Sequence, residues 1–248
     1  MTPRSEVSLT GRARSGFAGR VRPDPGSSAP RAVRVLVVDD HRSVAESIGM
    51  AIDMQPDLRC VGIAGTVAEA LTMTLGRGPD VVLTDVELPD GDGVENARRL
   101  IRLNPSLRVL VLTAHADIEV MARAASAGVA GFLPKETSIS AVLTALRRAA
   151  EGEMTVGGSV LSALLDRAQA SRSAAPPSVG VTDRELDVLR CLSQGLDPRS
   201  IARQLGISIH TCRGHVKRLL AKLDAHSQLE AVVKAMRLGV LSQREPRP

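Results

Sequence analysis

Five polar residues stand directly behind short, mostly apolar runs. Val33–Val38 leads into Asp39 and Asp40, Val81–Thr84 into Asp85, Arg108–Leu112 into Thr113, and Val129–Leu133 into Pro134 and Lys135. Runs of this length, rich in β-branched residues and bounded by turn formers, read as buried strands. In an open α/β sheet the carboxyl ends of the strands line the ligand crevice. If the runs share one parallel sheet, all five side chains converge there. Three crowded carboxylates repel one another unless a cation sits among them, and an oxygen-only donor set selects a hard ion such as Mg²⁺. A lysine and a hydroxyl complete a pocket for a phosphoryl group, whose transfer needs positioning and charge neutralisation more than covalent help. A lone Asp at a strand end is ordinarily a cap or a turn residue, but five such groups behind four strands form a pattern. His41, beside the Asp pair, reads as the exposed start of a helix and is left out of the set.

The intervening segments carry helical spacing. Residues 42–54 place Val44, Ile48, Ala51 and Ile52 on one face and stop before Pro56. Further helices are expected at 66–76 (closed by Gly76), 92–103, 117–127 (closed by Gly128) and 138–151, with another strand at Leu58–Ala64. Five β-α units in about 120 residues predict a doubly wound α/β domain with a five-stranded parallel sheet. Its span is 32–153. Residues 1–31, rich in Arg, Gly, Ser and Pro without periodicity, read as a disordered basic tail. Residues 154–178 read as a linker holding a short helix (Val160, Leu161, Leu164, Leu165), ending in a Ser-, Ala- and Pro-rich stretch.

From 179 to 248 the pattern is all-α. Thr182 and Glu185 form a capping box, Asp197-Pro198 an N-cap with an N1 proline, Ser208 a further cap, and Ser227 with Glu230 a second box. Four helices follow, two of them separated only by Gly206-Ile207-Ser208, which is helix-turn-helix spacing. In the longer helix Cys212, Val216, Leu219, Leu220 and Leu223 form an apolar stripe. Arg213, Gly214 and Lys217 lie opposite, flanked by Arg218, His210 and Thr211. A basic face on that second helix is the arrangement that enters a DNA major groove. His215 borders the core stripe, which favours packing or a phosphate contact over base readout.

Charge divides along the chain in the same way. Residues 1–34 carry seven Arg against two acids, 35–153 eleven basic against seventeen acidic residues, and 179–248 twelve basic against seven acidic. An acidic middle joined to a basic end matches a cation or phosphate site coupled to a nucleic-acid binder. With no Trp or Tyr and two Phe, the core is aliphatic. Three dispersed cysteines without metal-ligand spacing point to a reducing compartment. No run approaches the ~20 apolar residues of a membrane span, and no secretory h-region is present. A soluble cytoplasmic protein without a membrane partner is expected.

Over residues 33–152 the Asp39-Asp40 pair, Asp85 followed by Pro89 and Gly93, Thr113 and Lys135 resemble the flavodoxin/CheY-like receiver domain of two-component response regulators. Over 181–237, Thr182, Arg184-Glu185, Val188-Leu189, Gly195, Ile201-Ala202, Leu205 to Ser208, Thr211, His215-Val216, Lys222-Leu223 and Glu230-Ala231 resemble the LuxR-type DNA-binding domain. The pairing is similar to the NarL/FixJ family.

The resemblance implies that Asp85 is phosphorylated by a sensor histidine kinase. It implies Mg²⁺ on Asp40 and Asp85, on Asp39 through water and on the Glu87 carbonyl. Lys135 would pair with the phosphoryl group, Thr113 would move to bond it, and Phe132 would be the aromatic that turns inward. Output would be transcription regulation through double-stranded DNA, with an inverted-repeat operator and a homodimer built on the last helix (228–238). The Cys212-Arg213-Gly214 run departs from the family's usual Val-Lys followed by a larger residue. Two alternatives remain: a phosphorylation-independent regulator, or an aspartyl-phosphate phosphatase, which would need an Asp where Glu87 stands.

Overall fold

Five strands, β1 (Val33–Val38), β2 (Leu58–Ala64), β3 (Val81–Asp85), β6 (Arg108–Thr113) and β7 (Gly131–Pro134), form one parallel sheet in the order β2-β1-β3-β6-β7. The computed structural model describes residues 31–114, 117–171 and 179–241. The expected basic tail (Arg31 apart) and nearly all of the Ser- and Pro-rich stretch before residue 179 lie outside the described residues. Helices α1 (Arg42–Asp53), α2 (Val67–Arg77), α3 (Gly93–Leu103), α4 (Ile118–Ser126) and α5 (Ile139–Ala150) alternate with the strands. The α/β reading is therefore what the chain adopts.

The strands are apolar at nearly every position because both sheet faces are covered. Val35, Val37, Val81, Leu83, Leu110 and Leu112 point to the face covered by α1 (Ala45, Ile48, Ile52) and α5 (Val142, Leu146), in a self-contained cluster. Leu36, Val38, Val82, Val109, Val111 and Phe132 point to the other face, under α2, α3 and α4. That second cluster does not stop at the sheet. It runs on through Leu161, Leu164 and Leu165 of α6 (Gly158–Ala170) into the C-terminal helices.

Those helices are α7 (Asp183–Ser193), α8 (Pro198–Leu205), α9 (Ile209–Lys222) and α10 (Gln228–Arg237). The caps expected at Thr182, Asp197, Ser208 and Ser227 all accept backbone N–H groups; the Thr182–Glu185 box is complete, whereas the Glu230 carboxylate accepts the His226 N–H rather than that of Ser227, so the second expected box does not close. Cys212, Val216, Leu219 and Leu223 are buried and Leu220 half-buried, as the stripe predicts. α10 packs against α4 and α6 as well as α7 and α9. Gln228 to Val233, Ala235 and Met236 are all buried.

Element ends differ from expectation by a residue or two, the last strand running over Gly131–Pro134 rather than Val129–Leu133. α2 runs past Gly76 to Arg77 and is closed by Gly78, whose φ of 54° is a left-handed conformation that glycine adopts without cost. The loop after β3 folds into a two-stranded hairpin, β4 (Glu87–Leu88) with β5 (Gly91–Asp92). No described helix is long and apolar enough to cross a membrane.

Candidate functional site

The strand ends bring Asp39, Asp40, Asp85, Thr113 and Lys135 together. A cavity of about 570 Å³ opens above them, lined by Asp40, His41, Asp85, Glu87, Thr113 and Lys135 among others. Asp85 closes β3 and is 4% exposed. Its Oδ1 accepts the Val86 N–H at 2.7 Å and its Oδ2 accepts the Lys135 Nζ at 2.6 Å. Lys135 reaches the site because its own N–H is tied to the Thr113 carbonyl (2.9 Å), continuing the β6–β7 ladder. Burial disfavours the Lys135 ammonium, but the Asp85 hydrogen bond and the fields of Asp39 and Asp85 outweigh it and hold its pKa above the ordinary lysine value.

Asp39 is buried. Its Oδ1 accepts the His41 N–H at 2.9 Å, while its Oδ2 is paired with the Lys135 ammonium at 3.2 Å. Lys135 is thus shared between two buried carboxylates, Asp39 and Asp85, and one ammonium leaves net negative charge that a further cation would neutralise. Ligand-capable atoms of Asp39, Asp40, His41 and Asp85 all lie within 4.8 Å of one another. The donor set therefore fits a hard dication. His41, expected as the exposed start of a helix, stands at the rim with Nδ1 2.9 Å from Asp40 Oδ1.

The hairpin beneath the cavity rests on two aspartates. Asp90 accepts the Val67 and Ala68 N–H groups at 2.7 and 3.0 Å, fixing the start of α2. Asp92 caps α3 and pairs with Arg123 of α4 at 2.8 Å. Gly93 is required because a Cβ there would lie 1.9 Å from the Asp85 carbonyl oxygen. Thr113 and Phe132 are buried, 8% and 5% exposed. Phe132 already packs in the cluster on the α4 side of the sheet.

On α9 the cations divide. His210, Thr211, Arg213 and Lys217 are exposed. Arg213 forms ion pairs with Glu151 and, at 3.8 Å, with Glu153. Arg218, exposed as expected, is nonetheless held: its Nε lies 3.3 Å from Glu185 Oε1 and its Nη2 2.9 Å from His215 Nδ1. Glu185 also accepts Lys222 Nζ at 2.6 Å and the Thr182 N–H at 3.0 Å. Burial alone would raise the Glu185 pKa, but the Lys222 and Thr182 hydrogen bonds prevail and lower it from 4.5 to about 2. A Cβ on Gly214 would meet only Arg218 Nη1, at 3.7 Å. The fold does not demand glycine there.

Comparison with known proteins agrees with this division. Residues 35–147 match the response regulator receiver domain, and residues 180–235 match the luxR family of bacterial regulatory proteins. The DNA-binding transcriptional activator DevR/DosR of Mycobacterium tuberculosis is 34% identical over 206 residues, covering 83% of this chain and 95% of that protein. The chain belongs to the NarL/FixJ-type response regulators. The nitrate/nitrite response regulator NarL of Escherichia coli K12 is 32% identical over 80% of this chain and 93% of its own length. A solved Salmonella typhimurium RcsB response regulator shares the fold, with a TM-score of 0.51 at 22% identity over 82% of this chain and 97% of that one. This response regulator thus couples a receiver to a LuxR-type DNA-binding domain.

Proposed function

We propose that this response regulator controls transcription by binding double-stranded DNA through α9, and that phosphorylation of Asp85 by a sensor histidine kinase switches it. The observation that carries the reading is the Lys135 ammonium 2.6 Å from Asp85 Oδ2, beside a half-buried acidic cluster under an open cavity. An Asp85 carboxylate oxygen forms the O–P bond while the P–N bond of the kinase phosphohistidine breaks, and the imidazole leaves with the electron pair. Asp39, Asp40, Asp85 and the Glu87 carbonyl would hold Mg²⁺, which supplies charge neutralisation for the incoming phosphoryl oxygens. Lys135 and Thr113 then bind the phosphoryl group, and the β6–β7 edge, with Phe132, follows them.

Three observations support the output. Arg213 and Lys217 project from α9 beside His210, Thr211 and the small Gly214, leaving a basic, close-approach face. Arg213 is paired with Glu151, a carboxylate that would have to give way before a phosphate could take Arg213. α10, the expected dimer contact, is buried against α4 and α6. Undocking would expose both surfaces and favour a two-fold dimer on an inverted repeat. The reading includes no turnover enzyme, since Glu87, exposed at the rim, stands where an aspartyl-phosphate phosphatase needs an Asp.

Asp85→Asn tests the centre of the reading. Labelling by acetyl phosphate in Mg²⁺ should disappear in the variant; a variant that labels like the wild type refutes Asp85 as the acceptor.

A further inference from the structure

The five residues after α5, Glu151 to Thr155, touch three elements at once. Thr155 lies parallel to the outer edge of β7, bridged to Gly131. The Phe132 N–H donates to the Thr155 carbonyl at 2.9 Å, and the Thr155 N–H donates to the Ala130 carbonyl at 3.0 Å. One residue earlier, the Met154 N–H donates to the buried Gln228 side chain of α10 at 3.0 Å. Arg148 braces the stretch by donating to the Met154 carbonyl at 2.9 Å. Glu151 and Glu153 face Arg213 of α9.

A sheet edge offers N–H and C=O groups that must find partners when covered. Here Thr155 supplies them, acting as a sixth strand one residue long. Gly131 makes this geometry available: a Cβ at that position would lie 1.8 Å from the Thr155 carbonyl oxygen. Glycine in a strand ordinarily weakens it and marks the close approach of another backbone. Two further hydrogen bonds at the start of α10 also reach receiver groups near this edge. Ser227 Oγ donates to the Val129 carbonyl at 2.8 Å, and Arg108 Nη1 donates to the His226 carbonyl at 2.7 Å.

We propose that Glu151–Thr155 is a latch that ties the edge strand carrying Phe132 to both α9 and α10, and that Gly131 is the residue that lets it close. A shift of β7 would break the two Thr155 backbone bonds. Met154 and Glu151 would then release Gln228 and Arg213 together. The coupling to β7 movement rests on the phosphorylation reading above; the latch itself does not.

The experiment uses the full chain without phosphodonor. In Gly131→Ala, hydrogen exchange at the Phe132, Met154 and Thr155 amides should speed up by about tenfold or more. Affinity for a random-sequence 30-base-pair duplex at low salt should rise by about tenfold, equivalent to about 1.4 kcal/mol. Gln228→Ala should speed exchange at Met154 and raise duplex affinity while leaving β7 intact. This covers the case in which Gly131→Ala does not fold. Folded variants with unchanged exchange and unchanged duplex affinity overturn the latch, as does an unaffected Gln228→Ala beside an unfolded Gly131→Ala. Acetyl phosphate labelling of the same proteins separates the two ideas. Opened variants of a chain that never labels keep the latch and sink the phosphorylation reading, whereas a labelled chain with inert latch variants does the reverse.

Discussion

At the receiver pocket one ammonium, Lys135, faces the two buried carboxylates of Asp39 and Asp85, with Asp40 at the rim. In the helical domain one buried carboxylate, Glu185, faces two cations, Lys222 and Arg218, and also accepts the Thr182 N–H. The first arrangement has negative charge to spare, because the single Lys135 ammonium is shared by Asp39 Oδ2 and Asp85 Oδ2. The second is saturated. Buried charge is tolerated when it is paired and hydrogen-bonded, so Glu185 can serve as a structural anchor between α7 and α9. The pocket keeps an excess of carboxylate, which is the condition under which a cation would be taken up.

The largest expected effect follows from removing the Lys135 ammonium from the pocket. Lys135→Ala leaves Asp39 and Asp85 facing each other, and breaking a buried pair costs about 3–5 kcal/mol. The loss should appear as a lower urea midpoint in metal-free buffer and shrink on adding Mg²⁺. A variant as stable as the parent, or one indifferent to Mg²⁺, would break the contrast between an undersupplied and a saturated site.

Glu185 sharpens the other half. Its folded pKa of about 2 lies below the ordinary 4.5. A depressed carboxylate stabilises the fold above its unfolded pKa, and the contribution fades as pH falls from about 4.5 toward 2. The shift sets an upper bound of about 3 kcal/mol at neutral pH, reduced by solvent screening because the partner cations Arg218 and Lys222 are themselves partly exposed. Glu185→Gln should therefore lower urea stability at pH 7, and the gap between variant and parent should close in acid. A gap that stays constant with pH would mean that Glu185 contributes shape rather than charge.

The same distinction sorts the α9 cations. Arg213→Ala with Lys217→Ala should reduce the salt slope of DNA binding by roughly 0.9 for each phosphate that is no longer neutralised. Arg218→Ala should leave that slope nearly unchanged and cost stability instead, because Arg218 is engaged by Glu185 and His215. An equal loss of slope in the double variant and in Arg218→Ala would erase the difference between cations that reach the duplex and a cation anchored inside the domain.

Much of this is legible in the sequence alone. The strand-end positions of Asp39, Asp85, Thr113 and Lys135 follow from apolar runs of β-strand length. The caps at Thr182, Asp197, Ser208 and Ser227 follow from residue type and spacing, because both signals are local. Arg218 shows the limit. Helical spacing places it on the exposed flank correctly, but its anchor, Glu185, is 33 residues away in sequence. Gly131 and Gly93 are limited in the same way. Each is a glycine because a distant or turned-back backbone passes within reach of its Cα, and one sequence contains no trace of that approach beyond the glycine itself. Glu151 reads as the last residue of a helix, and its pairing with Arg213 depends on how α9 docks.

That pair carries the smallest prediction and tests whether docking restrains DNA binding at all. Arg213 and Glu151 are both about half exposed, at 46% and 48% of their side chains. An exposed ion pair contributes roughly 0.2–1 kcal/mol, so Glu151→Gln should raise the DNA affinity of the unphosphorylated chain by no more than about fivefold, with the gain diminishing at high salt. In the phosphorylated chain the same substitution should change nothing, because Arg213 would already have left Glu151. A gain of equal size in both states would place Glu151 in the general electrostatic field around the duplex rather than in an ion pair that opens.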